Sequence, residues 1–168
     1  AFGASGTLSA SVAGGGGTAD LLDYSALSTV VTVNLATGSA TSVNSGATSS
    51  VTGIENVTGG TTGDILTGDT NANSLSGGGG NDSLTGAAGN DTLNGGADND
   101  TLVDGSGDDN LDGGTGDDNF VLTPGSADVL TDASGTDSVS FAGASAGVTF
   151  DLEAMTAQDV FGGNTVQI

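Results

Sequence analysis

The chain has 168 residues, of which 21 are acidic and none is Lys, Arg, His or Cys, so its formal net charge is −21. That balance excludes binding to nucleic acid or to an anionic membrane unless metal ions intervene. It also excludes disulfides, thiolate metal sites and any hydrolase whose nucleophile is activated by His, Lys or Cys. With 32 Gly, five Phe, one Tyr and no Trp, only a regular repeat separates this composition from that of a self-repelling, disordered polymer.

Residues 1–16 form a small, Gly-rich segment whose bulky groups are Phe2, Leu8 and Val12. Residues 17–58 alternate in the manner of strands, through LLDYSAL, VVTVNLATG and VTGIENVTGG. Residues 59–122 are a strict nine-residue array, and Pro124 and Gly125 punctuate its end. Residues 123–168 return to strand-like alternation in DSVSF, GVTFDLEA and NTVQI. Helix signals are nearly absent, because Gly, Ser and β-branched residues dominate. The sequence therefore predicts an all-β chain.

The two flanks resemble each other. A displacement of 117 positions places Asp20 on Asp137, Leu22 on Val139, Tyr24 on Phe141, Val33 on Phe150, Leu35 on Leu152, Val43 on Val160 and Val51 on Ile168. This reads as a diverged duplication within a longer tandem array. No apolar run approaches the ~20 residues of a membrane helix, and no cleavable signal peptide is visible.

Within the array Val57, Leu66, Leu75, Leu84, Leu93, Leu102, Leu111 and Phe120 recur every nine residues without a slip. From Gly77 the nonads read GGGGNDSLT, GAAGNDTLN, GGADNDTLV, DGSGDDNLD and GGTGDDNFV. This is the pattern G-G-x-G-x-D-x-U-x, with U a large apolar residue, of a calcium-binding parallel β-roll (a right-handed β-solenoid). Each U residue is expected in a short strand facing inward. Two nonads make one coil, so that residues 18 apart stack at roughly the 4.8 Å strand spacing. Glycines at the first, second and fourth positions, such as Gly77, Gly78, Gly80, Gly86, Gly89, Gly95, Gly107 and Gly116, are expected to permit unusual backbone angles and to turn carbonyl oxygens toward a cation.

The sixth positions then form two ladders of ligands. One holds Asp64, Asp82, Asp100 and Asp118, and the other Asn73, Asp91 and Asp109. Neighbours in a ladder can flank one ion, which predicts about 4–5 Ca²⁺, with Asn73 giving a weaker site. Oxygen-only, multidentate ligation suits calcium better than transition metals. Thr62 stands where Gly is usual and puts the site of Asp64 in doubt; Asp98 and Asp104 also replace repeat glycines, at a fourth and a first position.

These nonads resemble the RTX (repeats-in-toxin) family over about 59–121. The resemblance implies calcium binding at the sixth positions, folding where calcium is millimolar, and export by a type I secretion machine. It does not imply a host activity, because such arrays are attached to toxins, lipases, proteases, epimerases, adhesins and surface-layer proteins.

Other constellations carry less. Glu55 and Glu153 as a glycosidase pair lack aromatic residues to cradle a sugar. The glycosylation-like strings at Asn56, Asn81, Asn90 and Asn99 follow from repeat composition. Thr67 and Thr85 begin an outward row that Val103 and Val121 continue, a poor ice-binding face. Two readings remain. The first is a non-enzymatic, secreted or cell-surface β-roll of a bacterial filament, surface layer or adhesin, with self-association through its ends and with Phe2, Leu8 and Val12 at the junction. The second is the C-terminal secretion and folding module of an exported enzyme or toxin. Neither involves nucleic acid or membrane insertion.

Overall fold

A computed structural model describes residues 12–41 and 48–142. Phe2, Leu8, Val43, Phe150, Leu152, Glu153, Val160 and Ile168 lie outside the described residues. In chain order the strands are β1 (Val12–Ala13), β2 (Leu21–Asp23), β3 (Thr32–Asn34), β4 (Ser39–Thr41), β5 (Thr48–Thr52) and β6 (Asn56–Thr58). The array contributes β7 (Ile65–Thr67), β8 (Ser74–Gly79), β9 (Ser83–Ala88), β10 (Thr92–Ala97), β11 (Thr101–Ser106), β12 (Asn110–Thr115) and β13 (Asn119–Leu122). Beyond it come β14 (Val129–Thr131) and β15 (Ser138–Phe141). The described residues contain no helix.

The nine-residue period places successive strands in opposite sheets. One sheet has the order β14-β12-β10-β8-β6-β2, and the other β1-β5-β4-β3-β7-β9-β11-β13-β15. Within the array all pairings are parallel and join residues 18 apart, as in Leu75↔Leu93↔Leu111 and Leu84↔Leu102↔Phe120. The fold is a parallel β-roll. Its core is one column of side chains from each sheet, with Val57, every array Leu and Phe120 at most 1% exposed. Side chains thus alternate between the shared interior and solvent over the first residues of each array strand, as a period-2 element requires.

Both flanks join this roll. On the N-terminal side Leu22 pairs with Val57 and Val33 with Leu66. The surplus residues of this first coil fold out as an antiparallel excursion, in which β4 pairs with β3 and β5 with β4, and β1 then adds parallel to β5. Sequence alternation had shown strands here but not their direction. On the C-terminal side Leu111 pairs with Leu130 and Phe120 with Val139, each 19 residues apart. The extra residue enters the turn containing Pro124 and Gly125, whose φ is +116°. That dipeptide marks the end of the strict period, but the roll continues past it.

The glycine positions divide by cause. Second- and fourth-position residues such as Gly78 (φ +107°) and Gly80 (φ +90°) occupy the left-handed region, where Ala87 and Asp98 sit at some strain. First-position glycines such as Gly77, Gly86 and Gly95 do not occupy that region, contrary to expectation. They are small because a Cβ on Gly77, Gly86 or Gly95 would collide with the sixth-position Asp of the same turn.

Core and surface positions of one strand should respond differently. Leu93→Ala should cost about 2–5 kcal/mol as a cavity-forming truncation, whereas Thr92→Ala, at an exposed position, should change little. Denaturant unfolding of the calcium-loaded chain measures both.

Candidate metal centre

The turns between strands stack into two rows, one along each edge of the roll. In each row a sixth-position carboxylate reaches back one coil. Asp82 Oδ1 accepts the N–H of Asp64 at 2.6 Å, Asp100 Oδ1 that of Asp82 at 2.8 Å, and Asp118 Oδ1 that of Asp100 at 2.7 Å. The other row repeats the bond from Asn73 N–H to Asp91 (2.8 Å) and from Asp91 N–H to Asp109 (2.7 Å). The two rows contain the two groups of residues expected from the sequence.

The second oxygen of each carboxylate sets the chemistry. Oδ2 of Asp82, Asp91, Asp100, Asp109 and Asp118 is buried and accepts no hydrogen bond. These five residues are 2–3% exposed. A buried, unpartnered carboxylate oxygen is costly, and the chain has no cationic side chain to answer it. First-position glycines keep the space beside Oδ2 of Asp82, Asp91, Asp100 and Asp118 open, whereas Asp109 shares its turn with Asp104. Hard oxygen donors of this kind, held beside the backbone of a stacked turn, fit Ca²⁺.

Asp64 and Asn73 sit in the same rows but are satisfied otherwise. Asp64 accepts the N–H groups of Val31 at 2.7 Å and Gly60 at 2.6 Å through its two oxygens. Asn73 Oδ1 accepts Asp69 N–H at 2.8 Å, and its Nδ2 donates to the Glu55 carbonyl at 3.3 Å. Asp64 closes the N-terminal end of its row by these bonds, and Asn73 is satisfied within its own.

The rows are also longer than the strict period revealed. Asp128 Oδ1 accepts Asp109 N–H at 3.0 Å and Asp137 Oδ1 accepts Asp118 N–H at 2.9 Å, each 19 residues on. Glu55 accepts Asp20 N–H at 3.1 Å and so takes the equivalent place one coil before Asn73. Glu55 is thus a rung of this row. The missed rungs share a signal: an acid, any residue, then an inward apolar residue, as in ENV, DVL and DSV.

A second ladder runs at the fifth position with opposite polarity. Oδ1 of Asn81, Asn90 and Asn99 accepts the N–H of Asn99, Asp108 and Asp117, one coil later, at 3.2, 3.2 and 2.9 Å. Asp108 and Asp117 extend it to Ala127 (3.0 Å) and Thr136 (2.8 Å). The Asn residues of the glycosylation-like strings in the array are therefore turn-to-turn rungs.

Residues 58–129 match the family model for the RTX calcium-binding nonapeptide repeat, in overlapping stretches 58–93, 85–120 and 94–129. The array is a run of RTX repeats. No curated protein matches the chain. The RTX repeats bind calcium, and the five bare Oδ2 atoms are where this array offers charge to it.

Burial raises the carboxyl pKa of six sixth-position Asp residues. It lifts Asp82 and Asp91 to about 6 and Asp100 to about 7, opposed by the backbone N–H bond from the preceding coil and reinforced by neighbouring Asp charges. Asp64, Asp109 and Asp118 are raised by the same cause.

Three consequences are measurable. Asp100→Asn should weaken calcium binding by about tenfold or more, because Asp100 stands between Asp82 and Asp118, whereas Asp64→Asn should leave it within about twofold. Calorimetric titration separates them. In chelator, the folded form binds protons more tightly than the unfolded chain, so the stability of the roll should rise as pH falls from about 7 toward 4. Circular dichroism against pH checks this. Calcium affinity should fall over the same window, as protons compete for the same oxygens.

Proposed function

We propose that this chain is a calcium-folded structural segment of a secreted bacterial surface protein, such as a filament, surface layer or adhesin. The observation that carries the reading is the continuity of the stack. Over the described residues both flanks add strands to the same two sheets, as expected of a repeating scaffold rather than of an export tail beside a separate catalytic unit. The bare buried carboxylates make calcium the condition for compaction. Outside the cell, where calcium is millimolar, that condition is met. The composition supports a non-enzymatic role and contact with neither nucleic acid nor lipid.

The ends suggest assembly. Among the described residues, Leu21 on β2 and Val129 on β14 are each 57% exposed and stand at the two ends of one outward column, Leu21↔Asn56↔Ser74↔Thr92↔Asn110↔Val129. Joining β14 of one copy to β2 of the next would continue that column and cover both apolar groups. Such a head-to-tail contact does not close and yields a filament. Val12, a candidate for the junction, is instead paired with Val51 within the chain.

The test is calcium titration of the full chain followed by circular dichroism and sedimentation. Millimolar Ca²⁺ should convert an expanded chain into a β-rich one that sediments as linear oligomers, and Mg²⁺ should substitute poorly, since it demands octahedral geometry and dehydrates reluctantly. Equal β content with chelator and with calcium would overturn the calcium reading. A strict monomer at high protein concentration would overturn the assembly.

A further inference from the structure

The roll carries a cluster that the nonapeptide pattern does not contain. Asp118, Asp132 and Asp137 bring carboxylate oxygens within 4.8 Å of one another. Asp118 and Asp137 are successive rungs of one row, joined by the 2.9 Å bond from Asp118 N–H. Asp132 occupies a first position, five residues before Asp137, where the pattern has Gly. Asp132 and Asp137 both lie beyond residue 129, where the match to the RTX repeat ends.

Three observations distinguish this group from a chance acidic cluster. Asp118 is 2% exposed and its Oδ2 has no hydrogen-bond partner. Both oxygens of Asp132 are buried and equally without a partner. Asp118 Oδ2 and Asp132 Oδ1 converge on the space that a Cβ on Gly113 would fill, the latter at 2.8 Å from that point. On the other edge Asp104, Asp109 and Asp128 also approach one another. There, however, Asp104 accepts Thr123 N–H through both oxygens, and Asp128 accepts Asp109 N–H and the Ser126 hydroxyl. Asp118 and Asp132 together keep three oxygens without a partner, whereas that other group keeps one, Asp109 Oδ2.

We infer that Asp118, Asp132 and Asp137 form a three-carboxylate calcium site at the C-terminal end of the roll, tighter than the two-carboxylate sites of the array and the first to fill. The inference rests on the calcium-binding reading and goes beyond it. Calcium affinity rises with the number of charged ligands, and this site supplies one more than a pair of array rungs does. An ion here ties β13 to β15 across the irregular 19-residue coil, where the repeat geometry is lost.

The experiment is calcium titration calorimetry on the full chain and on Asp132→Asn, with Asp112→Asn, on the outer face of β12, as a control of equal charge. Asp132→Gly is added because it restores the residue of the repeat and should fold wherever the array folds. Wild-type protein should show one ion bound before the rest. Both Asp132 variants should weaken that ion about tenfold or more and leave the later ions unchanged, while Asp112→Asn should match wild type. Asp132 variants that titrate like Asp112→Asn would overturn the proposal and leave the array reading standing. A wild-type chain that binds no calcium would overturn both.

Discussion

Everything in this roll depends on how one carboxylate is divided. Oδ1 of a sixth-position Asp is bound to the N–H of the preceding coil, which fixes the stacking of turns. In Asp82, Asp91, Asp100 and Asp118, Oδ2 is pushed into the space left by a first-position glycine, out of reach of water and of any donor. The same side chain therefore supplies a strong bond that holds the coils in register and a buried charge that opposes them. No Lys, Arg or His is present to resolve that conflict. Within the chain the only remedies are protonation or a cation, and near neutral pH a divalent ion between stacked turns is the effective one.

The thinness of the core makes this decisive. Each nonad inserts one large apolar side chain between the sheets, too little by itself to offset the ordering of nine backbones rich in glycine. Hydrogen bonding between strands adds a modest net gain per bond. The fold then sits near balance, and carboxylate repulsion or its reversal by an ion determines the side on which it falls. Glycine serves that arrangement twice, by left-handed geometry at Gly78 and Gly80 and by small volume at Gly77.

The array was legible because its period is strict. Val57 to Phe120 gave the inward column, and the sixth positions followed by counting. What counting could not reach lies where the period slips. One added residue near Pro124 moves Asp128 and Asp137 out of phase by one, and the long first coil separates Asp20 from Glu55 by 35 positions. The local triplet of acid, spacer and apolar residue survives both slips, because the acid in the turn and the apolar residue in the strand are held by their own geometry. Strand direction at β4 and β5 was illegible for another reason: alternation records which face is buried, and an antiparallel excursion alternates in the same way as a parallel coil. Asp132 was hidden because first positions are read as glycine.

The rungs at the fifth and sixth positions point opposite ways along the axis. A sixth-position carboxylate accepts from the coil before it, and a fifth-position amide or carboxylate from the coil after it. Every turn is thereby grasped from both neighbours, and the two ends of the stack differ in kind. Cutting the stack on its N-terminal side leaves a face whose sixth-position acid has lost its donor. Cutting it on the C-terminal side leaves a face of bare sixth-position N–H groups, which water satisfies easily. The native chain closes the harder face with Val31 and Gly60, which quench both oxygens of Asp64. The first coil thus acts as a plug for negative charge, and the roll has a built-in sense of direction although its core column is nearly the same at every step.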